Sequence, residues 1–208
     1  MKRIAESTVR RLSAYLRFLE EFESHGHQTI SSGELAAQGG TTSAQVRKDL
    51  SFFGSFGKRG LGYSVSALSS SLRQILGLGR QWNIVIVGAG KIGAALAQYK
   101  GFRERGFKVV GVYDVDHARV GRTLDGVVVR DQKEFEADIA RLKPQIALIA
   151  VPAEAAQPLV DRVVKCGIRA ILNVAPTPLT VPAGVTLRSV NMALELEILS
   201  YALVNADD

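Results

Sequence analysis

Apolar residues in the first third of the chain recur every three or four positions, a spacing that predicts amphipathic helices. The first predicted helix spans 8–24, and its apolar face consists of Val9, Leu12, Leu16, Leu19 and Phe22. From residue 83 onward the pattern changes to short apolar runs of the kind that form buried parallel strands. The chain therefore divides into an N-terminal helical part and a part that alternates strands with helices.

Two capping patterns mark where the next helices begin. Ser31 and Glu34 match a capping box, so a short second helix is predicted to follow Ser31 and to end at the two glycines at 39–40. Thr42 and Gln45 repeat the pattern and start a third helix that runs to about residue 52. A short helix, a tight turn and a polar, basic helix are the plan of a helix-turn-helix motif.

The third helix and the segment after it carry the residues predicted to bind DNA. Val46, Leu50 and Phe53 form the inward stripe of the helix. The residues pointing elsewhere are Ser43, Gln45, Arg47, Lys48 and Ser51. The pattern of residues 54–65 predicts two strands joined by a glycine-rich turn with Lys58 and Arg59 at its tip, like the wing of a winged helix. At such a tip, glycine backbone can approach DNA phosphates closely and cationic side chains replace their counterions. For the third helix taken alone, the alternative is a solvated helix face. For the glycine-rich turn taken alone, the alternative is a charged hairpin tip.

The remaining elements define the predicted fold. A fourth helix is predicted over 67–78, followed by a glycine-rich boundary. Strands are predicted at 84–87, 108–114, 127–129, 146–151 and 168–172, and helices at 92–99, 131–142 and 154–166. This alternation predicts an α/β Rossmann domain with a doubly wound parallel sheet. The predicted domains are a winged-helix domain at 1–78, a Rossmann domain at 79–190 and a C-terminal dimerisation helix at 191–208.

A dinucleotide-binding fingerprint directly follows the first of these strands. The loop residues expected to hold the pyrophosphate are Gly88, Ala89, Gly90, Lys91, Ile92 and Gly93. In this pattern Gly88 allows the tight turn, Gly90 lets the pyrophosphate approach, and Gly93 lets the helix pack on the strand.

The end of the second strand predicts which nucleotide is bound. Asp114 stands 21 residues after Gly93, where a carboxylate accepts hydrogen bonds from the adenosine ribose and repels a 2′-phosphate. NAD(H) is therefore favoured over NADP(H). Asp116 is the alternative ribose ligand, and Arg119, the nearest downstream cation, is expected to lie too far away to reverse the preference.

The predicted nucleotide domain lacks the proton donors that a hydride-transferring enzyme usually places beside the nicotinamide. No histidine follows the fourth strand, and the chain has no Tyr-x-x-x-Lys pair. We therefore expect the nucleotide to be a regulatory ligand and the protein not to be an enzyme. A small NAD-dependent enzyme with a basic appendage and a DNA-binding sensor of another adenine-containing ligand are the alternatives.

Composition and charge are consistent with a DNA-binding protein. The net charge is +6, and residues 1–78 carry ten Lys and Arg against six Asp and Glu, which favours double-stranded DNA as a partner. The single cysteine, Cys166, excludes an internal disulfide and a cysteine-based zinc site, and no metal is expected. With neither a signal peptide nor a membrane span predicted, the expected location is the cytoplasm.

The last predicted helix is apolar on two sides. One face carries Met192, Leu196, Leu199 and Leu203, and the other carries Leu194, Ile198 and Tyr201. A terminal helix of this kind is expected to be shared with a second subunit in a two-fold homodimer. Burial of the helix in its own domain is the alternative.

Together these segments resemble the Rex family of redox-sensing transcriptional repressors nearly end to end. The resemblance rests on Gln45-Val-Arg-Lys-Asp-Leu50, the glycine wing, the VGAGKIG loop, Tyr113-Asp114 and Val151-Pro152-Ala153. It implies a homodimer of winged-helix and Rossmann domains with exchanged C-terminal helices. Such proteins bind operator DNA when free or bound to NAD⁺ and release it when NADH binds.

The resemblance also implies roles for individual residues. Arg47 and Lys48 would face the major groove, and Lys58 and Arg59 would face the minor groove or its phosphates. Val151 and Pro152 would join the glycine loop in the cofactor site. Tyr99 would lie near the nicotinamide and the contact between domains.

One departure from the family concerns coupling between the two sites. The family usually has Val-Asp followed by Leu or Phe, where this chain has Val190, Asn191 and Met192. The family aspartate is expected to pair with the arginine matching Arg11 or with the tyrosine matching Tyr99, according to redox state. Because Asn191 carries no charge, the resemblance implies a weaker or differently set coupling.

Overall fold

A computed structural model describes residues 4–57 and 61–205 of the chain. The chain separates into two compact units, Met1–Arg80 and Gln81–Asp208. The predicted domain boundary after residue 78 lies close to this division. In the part of the chain that the structure describes, no helix is long and apolar enough to cross a membrane.

The N-terminal unit consists of helices around one apolar core. Its helices are α1 (Glu6–Ser24), α2 (Ser32–Gln38), α3 (Ser43–Ser51) and α4 (Val65–Ile75). The longest helix, α1, buries Leu12, Leu16 and Leu19 against residues of the other three helices. The stripe predicted for α3 is confirmed at Val46 and Leu50, which are buried in this core.

The two helix starts predicted from capping patterns are confirmed, whereas α1 and α4 each begin two residues earlier than predicted and α4 ends at Ile75 instead of residue 78. The Ser31 hydroxyl accepts a hydrogen bond from the Glu34 N–H, and the Glu34 carboxylate accepts one from the Ser31 N–H, which completes a capping box. The Thr42 hydroxyl accepts from the Gln45 N–H at 3.2 Å. In this second cap the Gln45 side chain turns toward the following helical turn instead of returning to Thr42.

The predicted wing hairpin is only partly correct. The strand β2 (Tyr63–Ser64) forms, but its partner is β1 (Thr29–Ile30), which precedes α2, and residues 54–57 form no strand. The backbones of Gly57 and Gly62 nevertheless approach closely, since a Cβ at Gly57 would lie 2.4 Å from the Gly62 carbonyl oxygen. The predicted DNA-binding residues Lys58 and Arg59 lie outside the described residues.

The C-terminal unit is built on a seven-stranded sheet whose order confirms the predicted doubly wound fold. The strands are β3 (Trp82–Val87), β4 (Phe107–Asp114), β5 (Thr123–Leu124), β6 (Val127–Asp131), β7 (Ile146–Ile149), β8 (Ala170–Asn173) and β9 (Thr186–Ser189). Their order is β5-β6-β4-β3-β7-β8-β9, and all pairs are parallel except β5 with β6. The two outermost strands, β5 and β9, were not predicted.

Helices cover both faces of this sheet. They are α5 (Lys91–Ala97), α6 (Lys100–Glu104), α7 (Phe135–Leu142) and α8 (Ala153–Lys165), and a 3₁₀ turn spans Gln132–Glu134. Successive side chains of a strand point to opposite faces. Val85 and Val87 accordingly pack in the cluster that includes α7 and α8 residues, whereas Ile86 packs in the cluster that includes Ala97 of α5. The predicted helix 92–99 ends at Ala97, so Tyr99 lies beyond it.

The last helix, α9 (Met192–Val204), packs differently from the others. Each of its 13 residues is exposed, including Leu199 at 59% and Leu203 at 78%. An apolar helix is stable in water only when another surface covers it, because exposed apolar area favours burial. Because every residue of α9 is exposed in the single chain, the alternative that α9 is buried in its own domain is wrong.

Candidate dinucleotide and DNA-binding sites

A cavity of about 710 Å³ lies at the carboxyl ends of the central strands, within the size range of ligand pockets. The strand β3 has β4 on one side and β7 on the other, so the chain order reverses there. Ligands of open α/β sheets bind at such a switch point. Predicted cofactor residues that line the cavity are Gly88, Gly90, Lys91, Ile92, Asp114, Val151 and Pro152.

Each of the three fingerprint glycines has a different structural reason for lacking a side chain. Gly88 has a φ of +98°, and a Cβ there would lie 2.2 Å from the Ala150 carbonyl oxygen. A Cβ at Gly93 would lie 1.8 Å from the Gly88 carbonyl oxygen. Gly90 has a φ of −66°, and its nearest neighbour, the Arg119 guanidinium, would be 3.8 Å away. Only Gly90 is thus free of internal constraint, as expected if its missing side chain makes room for a ligand.

Asp114 joins the end of β4 to the glycine loop. It is 4% exposed; its Oδ2 accepts from the Ala89 N–H at 2.6 Å, and its Oδ1 accepts from the Asp116 N–H at 2.8 Å. Burial alone would raise the pKa of this carboxyl, but these two backbone hydrogen bonds and Arg119 outweigh burial and lower it. The group is an anionic acceptor at neutral pH.

The expectation that Arg119 lies far from Asp114 is wrong. Its Nη1 is 3.2 Å from Asp114 Oδ2, and its Nε is 3.2 Å from Asp116 Oδ2. A turn in which Asp116 Oδ1 accepts from the Ala118 N–H brings the arginine back over the loop. A ribose that used this edge of Asp114 would have to displace the guanidinium. The positive charge of Arg119 also offsets part of the repulsion expected between Asp114 and the 2′-phosphate of NADP(H).

A smaller cavity of about 280 Å³ also has Arg119 in its lining. Lys91, Arg119 and Arg122 give it three cations, and Leu124 and Val129 supply apolar surface. Leu124 belongs to β5, a strand that the sequence did not predict. A surface of this composition suits an anionic group joined to an aromatic base.

Tyr99 stands apart from both cavities. It is the N-cap residue of α6, its side chain is 59% exposed, and its ring packs edge-on against Phe102. A Cβ on Gly101 would lie 2.6 Å from the Tyr99 ring, so this glycine makes room for the ring. The structure does not bring Tyr99 to the residues lining the 710 Å³ cavity.

The predicted DNA-binding residues that the structure describes all lie on α3. Arg47, Lys48 and Ser51 are exposed, whereas Ser43 and Gln45 are half-buried. The Arg47 guanidinium donates to the Ser32 hydroxyl at 3.0 Å, which holds its stem against α2. At about 100° per residue, the exposed positions share one side of the helix, and Gln45 lies at its border with the buried side.

Asp49 is a functional candidate that the sequence reasoning missed. Its side chain is fully buried on α3 and forms a salt bridge with Arg11 of α1 at 2.6 Å. Arg11, predicted to take part in coupling, is thus bound within the N-terminal unit. An available signal was the position of Asp49 three residues after Val46 and next to Leu50, on the apolar side of the helix.

Asn191, the other coupling candidate of the C-terminal unit, caps α9. Its Oδ1 accepts from the Ala193 N–H at 3.1 Å and the Leu194 N–H at 3.4 Å. In the described part of the chain no group of three or more His, Cys, Asp and Glu residues is placed to hold a metal ion.

Comparisons with known proteins agree with this architecture. Residues 3–51 match a family model described as "Putative DNA-binding protein N-terminus", and residues 79–177 match one described as "CoA binding domain". A protein of Pelotomaculum thermopropionicum named redox-sensing transcriptional repressor Rex is 47% identical over 205 residues, covering 99% of this chain and 96% of its own. A protein of the same name from Streptomyces coelicolor is 46% identical over 198 residues, covering 95% and 77%.

Solved structures give the same result. A crystal structure of RSP in complex with β-NAD⁺ and operator DNA has a TM-score of 0.94 and 38% identity, covering all of this chain and 95% of that one. RSP in complex with β-NADH has a TM-score of 0.91 and 37% identity, with coverage of 100% and 97%. RSP itself is described as a Rex-family repressor.

A helical DNA-binding module joined to a Rossmann domain with a dinucleotide cleft defines a class of nucleotide-responsive transcription regulators. Identity of 47% over nearly the whole chain then fixes the family within this class. The chain belongs to the Rex family of redox-sensing transcriptional repressors.

Proposed function

We propose that this chain forms a homodimeric repressor that binds operator DNA alone or with NAD⁺ and releases it when NADH binds. The observation that carries the proposal is the 710 Å³ cleft, with Gly90 open toward it, in a chain that also contains a helix-turn-helix unit. The relative RSP, similar along its whole length, is described in complex with β-NAD⁺ and operator DNA and in complex with β-NADH.

NAD⁺ and NADH occupy the larger cleft in this proposal. The pyrophosphate lies over residues 88–93, the adenosine ribose takes the place of Arg119 at Asp114, and the nicotinamide side extends toward Val151 and Pro152. Tyr99 lies near the nicotinamide end of the bound ligand in this proposal.

Operator DNA contacts α3 in this proposal. Arg47 and Lys48 project from its exposed side, so they can reach base edges or phosphates without any change in the packing of the core. Ser43, Gln45 and Ser51 supply hydrogen-bonding groups on the same helix. Lys58 and Arg59 neutralise DNA phosphates in this proposal.

A second copy of the chain covers α9 in this proposal. Burying one exposed Leu side chain contributes about 1.5–3 kcal/mol, and α9 exposes eight large apolar residues. A two-fold dimer also presents two copies of α3 to half-sites one or more helical turns apart. The repressor acts on DNA in the cytoplasm.

Selection of binding sites from random DNA tests the proposal. Without nucleotide, the protein should enrich a two-fold symmetric motif, and saturating NADH should abolish the enrichment. Enrichment of the same motif with and without NADH would contradict redox control, and absence of any motif would contradict sequence-specific DNA binding.

A further inference from the structure

The carboxylate of Asp49 is the centre of a buried hydrogen-bond network between α1 and α3. Arg11 donates through Nε to Oδ2 at 2.6 Å and through Nη2 to Oδ1 at 2.7 Å. The Tyr15 hydroxyl donates to Oδ2 at 3.1 Å. The Gln45 Nε2 donates to Oδ1 at 2.8 Å, and the Thr8 hydroxyl lies 3.4 Å from the same oxygen. The carboxylate is therefore held on both of its edges.

This network keeps Asp49 ionised. Burial alone would raise the pKa of the carboxyl, but hydrogen bonds from Arg11 and Gln45 outweigh burial and lower it. An ionised carboxylate accepts hydrogen bonds and donates none. Any side chain that contacts it must present a donor.

The orientation of the Gln45 amide follows from this chemistry. Its –NH₂ group has to face Asp49, so its Oε1 has to point away. A glutamine at the third helical position often returns to the N-cap backbone N–H, and Thr42 and Gln45 have the spacing for this. In the structure the side chain instead reaches forward one turn to Asp49, at the border of the exposed side of α3.

We propose that Asp49, clamped by Arg11, is a positioning residue that orients the Gln45 amide to read one adenine in the major groove. This inference rests on the proposed function, because it requires α3 to be the DNA-reading helix. One amide hydrogen is used by Asp49, which leaves Oε1 and the second hydrogen for DNA. These groups match the N6 donor and the N7 acceptor of adenine.

The consequence is specificity determined by a residue that does not touch DNA. A well-formed bidentate contact discriminates against a wrong base by about 5- to 150-fold. An amide that is free to rotate by 180° presents its donor and acceptor in the wrong order half of the time and loses part of this factor. If the network served only to hold α1 against α3, its loss would lower stability and leave base preference unchanged.

The test measures affinity of the full-length protein for its selected operator, for operators changed at single base pairs, and for non-operator DNA. Gln45→Ala should lower operator affinity about 5- to 150-fold and abolish preference at one A·T pair. Asp49→Asn should reduce preference at the same pair about twofold with non-operator affinity unchanged, because an asparagine amide faces Gln45 equally well with its donor or its acceptor and so halves the population of the correctly oriented amide. Tyr15→Phe removes one bond to Asp49 without touching Gln45 and should keep the preference.

The results that would overturn the inference are distinguishable from one another. If Gln45→Ala abolishes preference but folded Asp49→Asn keeps it, Asp49 does not position Gln45 and the proposed DNA surface stands. If Gln45→Ala, Arg47→Ala and Lys48→Ala all leave operator affinity unchanged, α3 does not read DNA and the proposed function fails with the inference. Should Asp49→Asn not fold, Arg11→Lys keeps the charge but loses the two-pronged clamp, and it should lower the same preference; unchanged preference would overturn the inference.

Discussion

Replacing Gly90 with alanine separates ligand binding from folding. At a φ of −66° and a ψ of −171°, alanine needs no strained backbone, and its Cβ would meet nothing nearer than the Arg119 guanidinium at 3.8 Å. The free energy of unfolding should therefore change by no more than about 0.5 kcal/mol, as for an unconstrained surface position. The same methyl group occupies the space over the loop where the pyrophosphate has to approach.

The expected loss of affinity follows from the hydrogen bonds that the methyl group prevents. A bond to a charged acceptor contributes about 1.5–3 kcal/mol, so losing one should raise the Kd for NADH about 10- to 150-fold. Isothermal titration gives this Kd, and thermal unfolding checks the fold. At NADH concentrations that release the wild-type protein, Gly90→Ala should remain bound to operator DNA.

Gly93 of the same loop serves as a matched control. Alanine at position 93 would place its Cβ 1.8 Å from the Gly88 carbonyl oxygen, so the strand and helix have to separate. Gly93→Ala should therefore lose about 1–3 kcal/mol of stability as well as NADH binding. If Gly90→Ala binds NADH as tightly as the wild type, or if it loses as much stability as Gly93→Ala, the ligand-based reason for Gly90 is refuted.

Four further substitutions test other parts of the account. Leu199→Asp charges the exposed face of α9 and should convert the dimer to a monomer in light scattering; an unchanged mass would contradict a shared helix. Asn191→Asp preserves the helix cap, since Asp and Asn cap equally well, but adds a charge, and should increase the ratio of operator Kd with NADH to that with NAD⁺. An unchanged ratio would exclude coupling through this position. Arg119→Ala removes the cation beside Asp114 and should raise the ratio of the Kd for NADPH to that for NADH in titrations; an unchanged ratio would show that the cation does not influence the 2′-position. Because the folded state lowers the pKa of Asp49, its contribution to stability is present above the usual value of 3.8 and is lost as pH falls through the lower folded value. Asp49→Asn should cost about 1.5–3 kcal/mol near neutral pH and weaken the acid dependence of thermal unfolding, whereas an unchanged dependence would contradict the network.

The sequence predicted the parts of the fold that depend on local pattern. Short stretches of consecutive residues were enough to predict the capping box at Ser31, the third helix and the glycine loop. The five predicted strands of the sheet carry enough apolar residues for their pattern to show, whereas β9, which is as long as β7 and β8, has leucine as its one apolar residue. The strands β1 and β5 have two residues each, too few for any periodicity, and β1 pairs with β2 across more than 30 positions of chain.

The site residues that the sequence did not place depend on contacts made in three dimensions. Asp49 is buried because Arg11, 38 positions earlier, folds against it. Arg119 reaches Asp114 because a turn at Asp116 reverses the chain, and the turn consists of side-chain-to-backbone bonds that residue types alone do not specify. The exposure of α9, in contrast, was expected from its two apolar faces.

The central claim is that NADH, and not NAD⁺, releases the protein from operator DNA by binding in one cleft. A ligand shifts such an equilibrium only by its difference in affinity for the two conformations, so binding of NADH alone does not establish the claim. The direct measurement is fluorescence anisotropy of a labelled operator titrated with protein at one fixed salt concentration, with saturating NADH or saturating NAD⁺. We predict an operator Kd at least about tenfold higher with NADH, a difference of about 1.4 kcal/mol. Equal Kd values, with both nucleotides shown by calorimetry to be bound, would contradict it.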